Sequence, residues 1–173
     1  MNTNACLLAL EKALQLEIDG MAFYRKAAAE SKNQLAKEMF TYLADAEVTH
    51  MDRIKQISES LKTTGNWCKT GDDKGHADIK DIFKRFAKEN KDKLESEATD
   101  IKAIETGLEL EVKSIDFYTR QNAGSNDASE KAFYLSLVDE ENSHYRTLQD
   151  MKFYLEDPEA WFAEHEKHGF DGA

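Results

Sequence analysis

The chain has 173 residues, enough for one domain with a substantial core. Its 34 Asp and Glu against 23 Lys and Arg leave a formal net charge of -11, which excludes a general nucleic-acid binder, because phosphate affinity needs clustered basic residues. Two cysteines, Cys6 and Cys68, are too few for a disulfide scaffold or a four-cysteine metal site, while one Pro and eight Gly in a chain 40% hydrophobic read as a folded, mostly helical protein.

In chain order, the N-terminus has no basic cluster before its short apolar run and does not read as a signal peptide. No stretch approaches about 18 uninterrupted apolar residues, so no membrane span is expected. Two separated cysteines without a CxxC pair point to a reducing, cytoplasmic setting. Cys6 reads as a helix-face or surface thiol, and Cys68 as an exposed thiol in a polar loop.

A first helical hairpin is predicted over residues 4–61. Its stripes are Leu7, Leu10, Leu14, Glu17, Met21, Tyr24, Ala28, and then Ala36, Phe40, Leu43, Glu47, His50, Ile54, Ile57, Leu61. Every interval is three or four residues, which is the seam of a helix packed on near-antiparallel neighbours. Ser31-Lys32-Asn33 makes the tight turn between them. A long crossover, 62–98, begins as loop and contains a short amphipathic helix over 78–90, marked by Ile79, Ile82, Phe83 and Phe86. Trp67 in that loop reads as an exposed aromatic that marks contact with a partner chain. His76 with Asp72 and Asp73 reads as polar loop.

A second hairpin is predicted over 99–156. Its stripes are Ile101, Ile104, Leu108, Glu111, Ile115, Tyr118, Asn122, and then Tyr134, Leu137, Glu141, His144, Leu148, Met151, Leu155. Gly124 to Asp127 makes the turn, with Asp127 as N-cap. Pro158 ends the last helix, and the tail 157–173 is expected to dock through Trp161, Phe162 and Phe170. His165 and His168 read as part of a polar tail. Hairpin, long crossover, hairpin is the connectivity of a one-crossover four-helix bundle.

The two hairpins repeat at an offset of 94 residues without gaps. Residues 10–61 and 104–155 share 14 identities in 52 positions. Chance at ordinary composition gives roughly three or four. Two related hairpins around a pseudo-two-fold axis are therefore expected.

Ionisable residues interrupt each stripe near its middle: Glu17, Glu47 with His50, Glu111, Glu141 with His144. Glu47 and His50 are three residues apart and share a helix face, as do Glu141 and His144. Four carboxylates meeting in one core repel and lose hydration, so something cationic must hold them. Two divalent cations balance four carboxylates, and carboxylate with imidazole suits iron or manganese better than calcium. One Glu from each of two helices plus Glu-x-x-His from the other two is the ligand pattern of ferritin-like dinuclear proteins. The plain alternative has the glutamates snorkelling and the histidines satisfied within the core.

The runs Leu16-Glu17-Ile18-Asp19-Gly20-Met21-Ala22-Phe23-Tyr24 and Ala46-Glu47-Val48-Thr49-His50, repeated from Leu110-Glu111 to Phe117-Tyr118 and over Glu140 to His144, resemble the rubrerythrin branch of the ferritin-like superfamily. The resemblance covers residues 5–156. It implies an all-α ferritin-like bundle holding two iron ions, with manganese or a mixed pair as alternatives. It implies that Glu47 and Glu141 bridge, that Glu17 and Glu111 are terminal, and that His50 and His144 bind one metal each. The implied activity is reduction of hydrogen peroxide or dioxygen. Two features depart from the branch. The two CxxC pairs of a rubredoxin-type iron site are missing from this chain, which implies an external electron donor such as a rubredoxin-type protein. Ser114 stands where many rubrerythrins carry an extra Glu, so the centre is more symmetric.

Around the ligand set, Tyr24 and Tyr118 lie two turns past Glu17 and Glu111. They read either as hydrogen-bond partners of ligands or as core. Glu140, whose repeat counterpart is Ala46, is placed to reach a ligand histidine, and Glu109 reads as solvated. A homodimer is the expected assembly. Ferroxidation with iron storage, or a metal-stabilised bundle without turnover, are the alternatives to an oxidoreductase.

Overall fold

The computed structural model describes residues 3–68, 79–89 and 98–167. Six helices form among them: α1 Thr3–Glu30, α2 Gln34–Thr64, α3 Ile79–Glu89, α4 Ala98–Gly124, α5 Ala128–Glu156 and α6 Pro158–Lys167. α1 packs most extensively on α2 and α4 on α5, and α1 also lies along α4. This is an all-α ferritin-like bundle of two hairpins.

The hairpin turns are built alike. Asn33 and Asp127, which are repeat counterparts, cap α2 and α5. The Asn33 side chain accepts from the Ala36 amide at 2.9 Å, and Asp127 accepts from Ser129 and Glu130 at 2.9 and 3.0 Å. Each cap satisfies amides that the first helical turn leaves unbonded. α2 ends at Gly65, whose φ of 72° lets its amide return to the Leu61 carbonyl.

At the two ends of the bundle the tail docks through Trp161 and Phe162 as expected, and the structure adds detail that the sequence reading lacked. Pro158 ends α5 but also begins α6: Asp157 accepts from the Ala160 amide at 2.9 Å, and proline suits a first helical turn that needs no amide. Trp161 is buried by α6 against Phe83 and Tyr154, with ring centroids 5.5 and 5.3 Å away, and Phe162 packs on Tyr154. His165 stacks on Trp161 at 4.1 Å and pairs with its carbonyl. Trp67, expected to be exposed, is half-buried against Phe133 and Tyr134 at 5.8 and 6.0 Å. Packing the indole on these two rings removes apolar area from water. Cys68 beside it is half-buried, and Cys6 is buried. Phe170, His168, His76, Asp72 and Asp73 lie outside the described residues.

The apolar core is divided in two. One cluster holds Tyr24, Phe40, Leu43, Phe83, Ile104, Leu148, Tyr154 and Trp161. The other holds Leu10, Ala13, Ile54, Ile57, Tyr118, Phe133, Tyr134 and Leu137. On all four long helices the change from one cluster to the other falls at the acidic positions, so the polar residues form a layer across the middle. Among the described residues no helix is long and apolar enough to cross a membrane.

Candidate metal centre

The polar layer contains Glu17, Glu47, His50, Glu111, Glu141 and His144, all buried. Their helical spacing puts them there: each replaces an apolar residue on a stripe whose neighbours one turn away are core. Ligand atoms of Glu17, Glu47, His50 and Glu141 lie within 4.8 Å of one another, as do those of Glu47, Glu111, Glu141 and His144. Glu47 and Glu141 belong to both clusters.

His50 Nδ1 lies 2.9 Å from Glu17 Oε2, and 3.3 Å from both Glu47 Oε2 and Glu141 Oε1. His144 Nδ1 lies 2.9 Å from Glu141 Oε2 and 3.8 Å from Glu111 Oε2. The two imidazoles stack, with centroids 5.5 Å apart. Each Nδ1 thus faces the acids.

Burial pushes the carboxyls of Glu47 and Glu111 well above the ordinary range, and the nearby Glu141 charge adds to it. Burial acts on Glu141 in the same direction, but the His50 charge and hydrogen bonds from His144 and His50 outweigh it and hold Glu141 well below that range. Burial would lower His50, yet attraction to Glu17 and Glu141 raises it. The protein alone therefore needs protons on some of these groups to hold the others close. A divalent pair would do the same work.

Glu141 Oε1 tests whether metal fits. It is buried, and the donor nearest to it, His50 Nδ1 at 3.3 Å, is closer to Glu17 Oε2 at 2.9 Å, so Oε1 lacks a well-aligned hydrogen bond of its own. A buried carboxylate oxygen so weakly partnered is costly, and it sits in the cluster where a cation would satisfy it. Four carboxylates and two imidazoles form a donor set suited to first-row divalent metals.

The tyrosines resolve in one direction. Tyr24 on α1 donates its hydroxyl to Glu111 on α4, and Tyr118 on α4 donates to Glu17 on α1. Each acid is thus oriented by the other hairpin, and both phenols are pushed well above their usual range, by burial and then by the acid they touch. Packing is served as well, because Tyr24 stacks on Phe40 at 6.2 Å. Glu140 reaches across the bundle rather than to the histidine of its own helix: its Oε2 lies 2.9 Å from His50 Nε2. Glu109 is exposed.

The sequence profile described as Rubrerythrin matches residues 9–152. The chain belongs to the rubrerythrin family. No curated protein and no solved structure matches it. The family is one of ferritin-like di-iron proteins, and the buried Glu and His cluster of this rubrerythrin-family chain has the donors to hold metal.

Two kinds of residue escaped the sequence reading. Arg53 donates to Glu140 Oε1 at 2.8 Å and so braces the carboxylate that holds His50. Its signal was its spacing: it follows His50 by three residues and is on the same face. Gly20 and Gly107 lie buried inside long helices. A Cβ on Gly107 would come within 3.2 Å of Leu148 and of the Tyr24 ring, so its absence makes the room in which Tyr24 reaches Glu111. Glycine inside a helix costs about 1 kcal/mol relative to alanine, and that cost was the available signal.

Proposed function

We propose that this protein is a non-haem di-iron oxidoreductase that reduces hydrogen peroxide or dioxygen with electrons from an external donor such as a rubredoxin-type protein. Glu17, Glu47, His50, Glu111, Glu141 and His144 would hold the metals, with Glu47 and Glu141 shared. The observation that carries this reading is the pair of overlapping four-residue clusters with those two acids in common. Manganese or a mixed pair would use the same donors. The proposal places the protein in the cytoplasm as a homodimer.

When bound, the metal pair would supply two electrons, which with two protons take hydrogen peroxide to two waters. The chain's own residues prepare the site. Tyr24 and Tyr118 orient Glu111 and Glu17 by donating to one oxygen of each, which leaves the other oxygen toward the centre. Glu140 holds His50 by Nε2, so that Nδ1 points at the acids. The two apolar clusters above and below exclude bulk water, which strengthens every charge interaction between them.

The test is metal analysis of protein purified without oxygen, followed by rapid mixing of the iron-loaded form with peroxide. Two irons per chain and peroxide consumption beyond that of free iron are expected. A hollow 24-mer that takes up ferrous iron in large excess would replace the reading with storage. Bound metal without turnover would replace it with a metal-stabilised bundle.

A further inference from the structure

A cavity of about 170 Å³ opens between α1 and α4. Six of its nine lining residues form three pairs related by the repeat, and Tyr24, Glu47 and Glu111 complete it. Gly20 and Ser114 form its walls, and Asp19 and Lys113, both exposed, stand at its mouth. Leu16 and Leu110 line its sides. Its floor is Glu47 and Glu111, which are buried. It therefore joins solvent to the carboxylates of the centre.

Small side chains make this space. A Cβ on Gly20 would stand 3.4 Å from Glu47 Cδ and Oε1, an ordinary contact. From that Cβ, a longer side chain has the cavity and the Glu47 carboxylate before it. Ser114 occupies the equivalent place on α4. On another side of the centre, the Arg53–Glu140 pair lies against His50 Nε2, so an approach along that ring meets an ion pair.

We propose that this cavity is the passage by which a small oxidant reaches the centre, and that Gly20 and Ser114 set the size it admits. The inference rests on the di-iron reading above and adds a substrate limit to it. A cavity of about 150 Å³ accommodates a molecule of benzene's size. Hydrogen peroxide, dioxygen and azide fit, and a compact alkyl hydroperoxide is near the limit. Cumene hydroperoxide exceeds it.

The experiment uses the iron-loaded full chain and the variants Gly20→Leu and Ser114→Leu. Azide serves as a probe of access that needs no turnover, and is followed by its charge-transfer absorption on ferric iron. Both variants should keep their metal, while azide association falls by roughly tenfold or more, the scale of discrimination that a few methylenes impose in a pocket. The parent should consume hydrogen peroxide at least about tenfold faster than cumene hydroperoxide on the same scale.

Fully metallated leucine variants with the parent's azide association overturn the passage, and so does equal turnover of the two peroxides. If a leucine displaces Glu47 and metal is lost, Gly20→Ala and Ser114→Val give the graded form. Azide association must then fall as side-chain volume grows, and no change overturns the passage. Azide access governed by positions 20 and 114 without peroxide turnover supports the passage and refutes the activity. A chain that holds no iron overturns both.

Discussion

His50 and His144 are equivalent in the repeat, yet their surroundings differ. His50 has both ring nitrogens engaged: Nδ1 faces Glu17, and Nε2 meets Glu140, itself braced by Arg53. The positions equivalent to Glu140 and Arg53 in the other half are Ala46 and Thr147, which have neither carboxylate nor guanidinium. The distances follow: His50 Nδ1 has three acids within 3.3 Å, whereas His144 Nδ1 is 2.9 Å from Glu141 and 3.8 Å from Glu111. Burial would raise Glu140, but its bonds from His50 and Arg53 outweigh that and keep it below the usual carboxylate range.

The hairpin turns show a second difference of the same kind. Ser31 donates to Asp100 at the start of α4 at 2.7 Å. Its counterpart Ser125 donates to Glu130 at 2.7 Å, and Cys6, the counterpart of Asp100, reaches that same Glu130 at 3.8 Å. Each turn is thus tied to the other hairpin's first helix, by one acid in one case and by an acid and a thiol in the other. The repeat keeps the charged positions at the centre alike and lets their supports differ. The two metal positions it would create are therefore unequally supported.

The largest test of this comparison is at the shared acids. Glu141→Ala or Glu47→Ala should remove both metals, whereas Glu17→Ala or Glu111→Ala should remove one. Metal analysis of the four variants checks it, and a single-metal Glu141→Ala protein would show that the clusters do not share that acid.

Glu140→Gln addresses the unequal supports. It should weaken binding on the His50 side by about 10–100-fold and leave the His144 side near its parent value. Calorimetric titration with Mn²⁺ or Co²⁺ resolves the two events. An equal loss at both would mean that the centre binds as one rigid unit.

The smallest effect concerns pH in the metal-free protein. Glu47, Glu111 and His50 are raised in the fold. A raised group contributes stability that is full below its unfolded pKa and is lost as pH rises through its folded value. Glu141 and Glu140 are lowered, so their contribution is present above the ordinary carboxylate value and is lost only in acid. Between about pH 5 and 8 the metal-free melting temperature should therefore fall as pH rises, and the gap to the metal-loaded form should widen. Melting curves with and without metal check this. A metal-free Tm that climbs across that range would contradict it.

Much of this was legible because helix geometry is local. Stripes at intervals of three and four residues put Glu17 with Tyr24, and Glu47 with His50, on inward faces, and the repeat identified which residues stand in equivalent places. Contacts between hairpins were not legible in that way. That Tyr24 serves Glu111 rather than Glu17, and that Glu140 serves His50 rather than His144, depends on which helices lie side by side and at what height. Trp67 and Trp161 show the same limit, since a polar sequence neighbourhood does not reveal which apolar surface is near enough to cover them.

By itself the sequence determined four amphipathic helices in two related hairpins, and six buried ligand candidates at their midpoints, because a costly charge on an apolar stripe needs a common counter-charge. Only the tertiary structure decided that the acids are oriented by the opposite hairpin, that one histidine is braced and its twin is not, and that small residues on α1 and α4 leave a cavity above Glu47 and Glu111. Those features are distances between helices far apart in the chain, and periodicity within one helix carries no information about them.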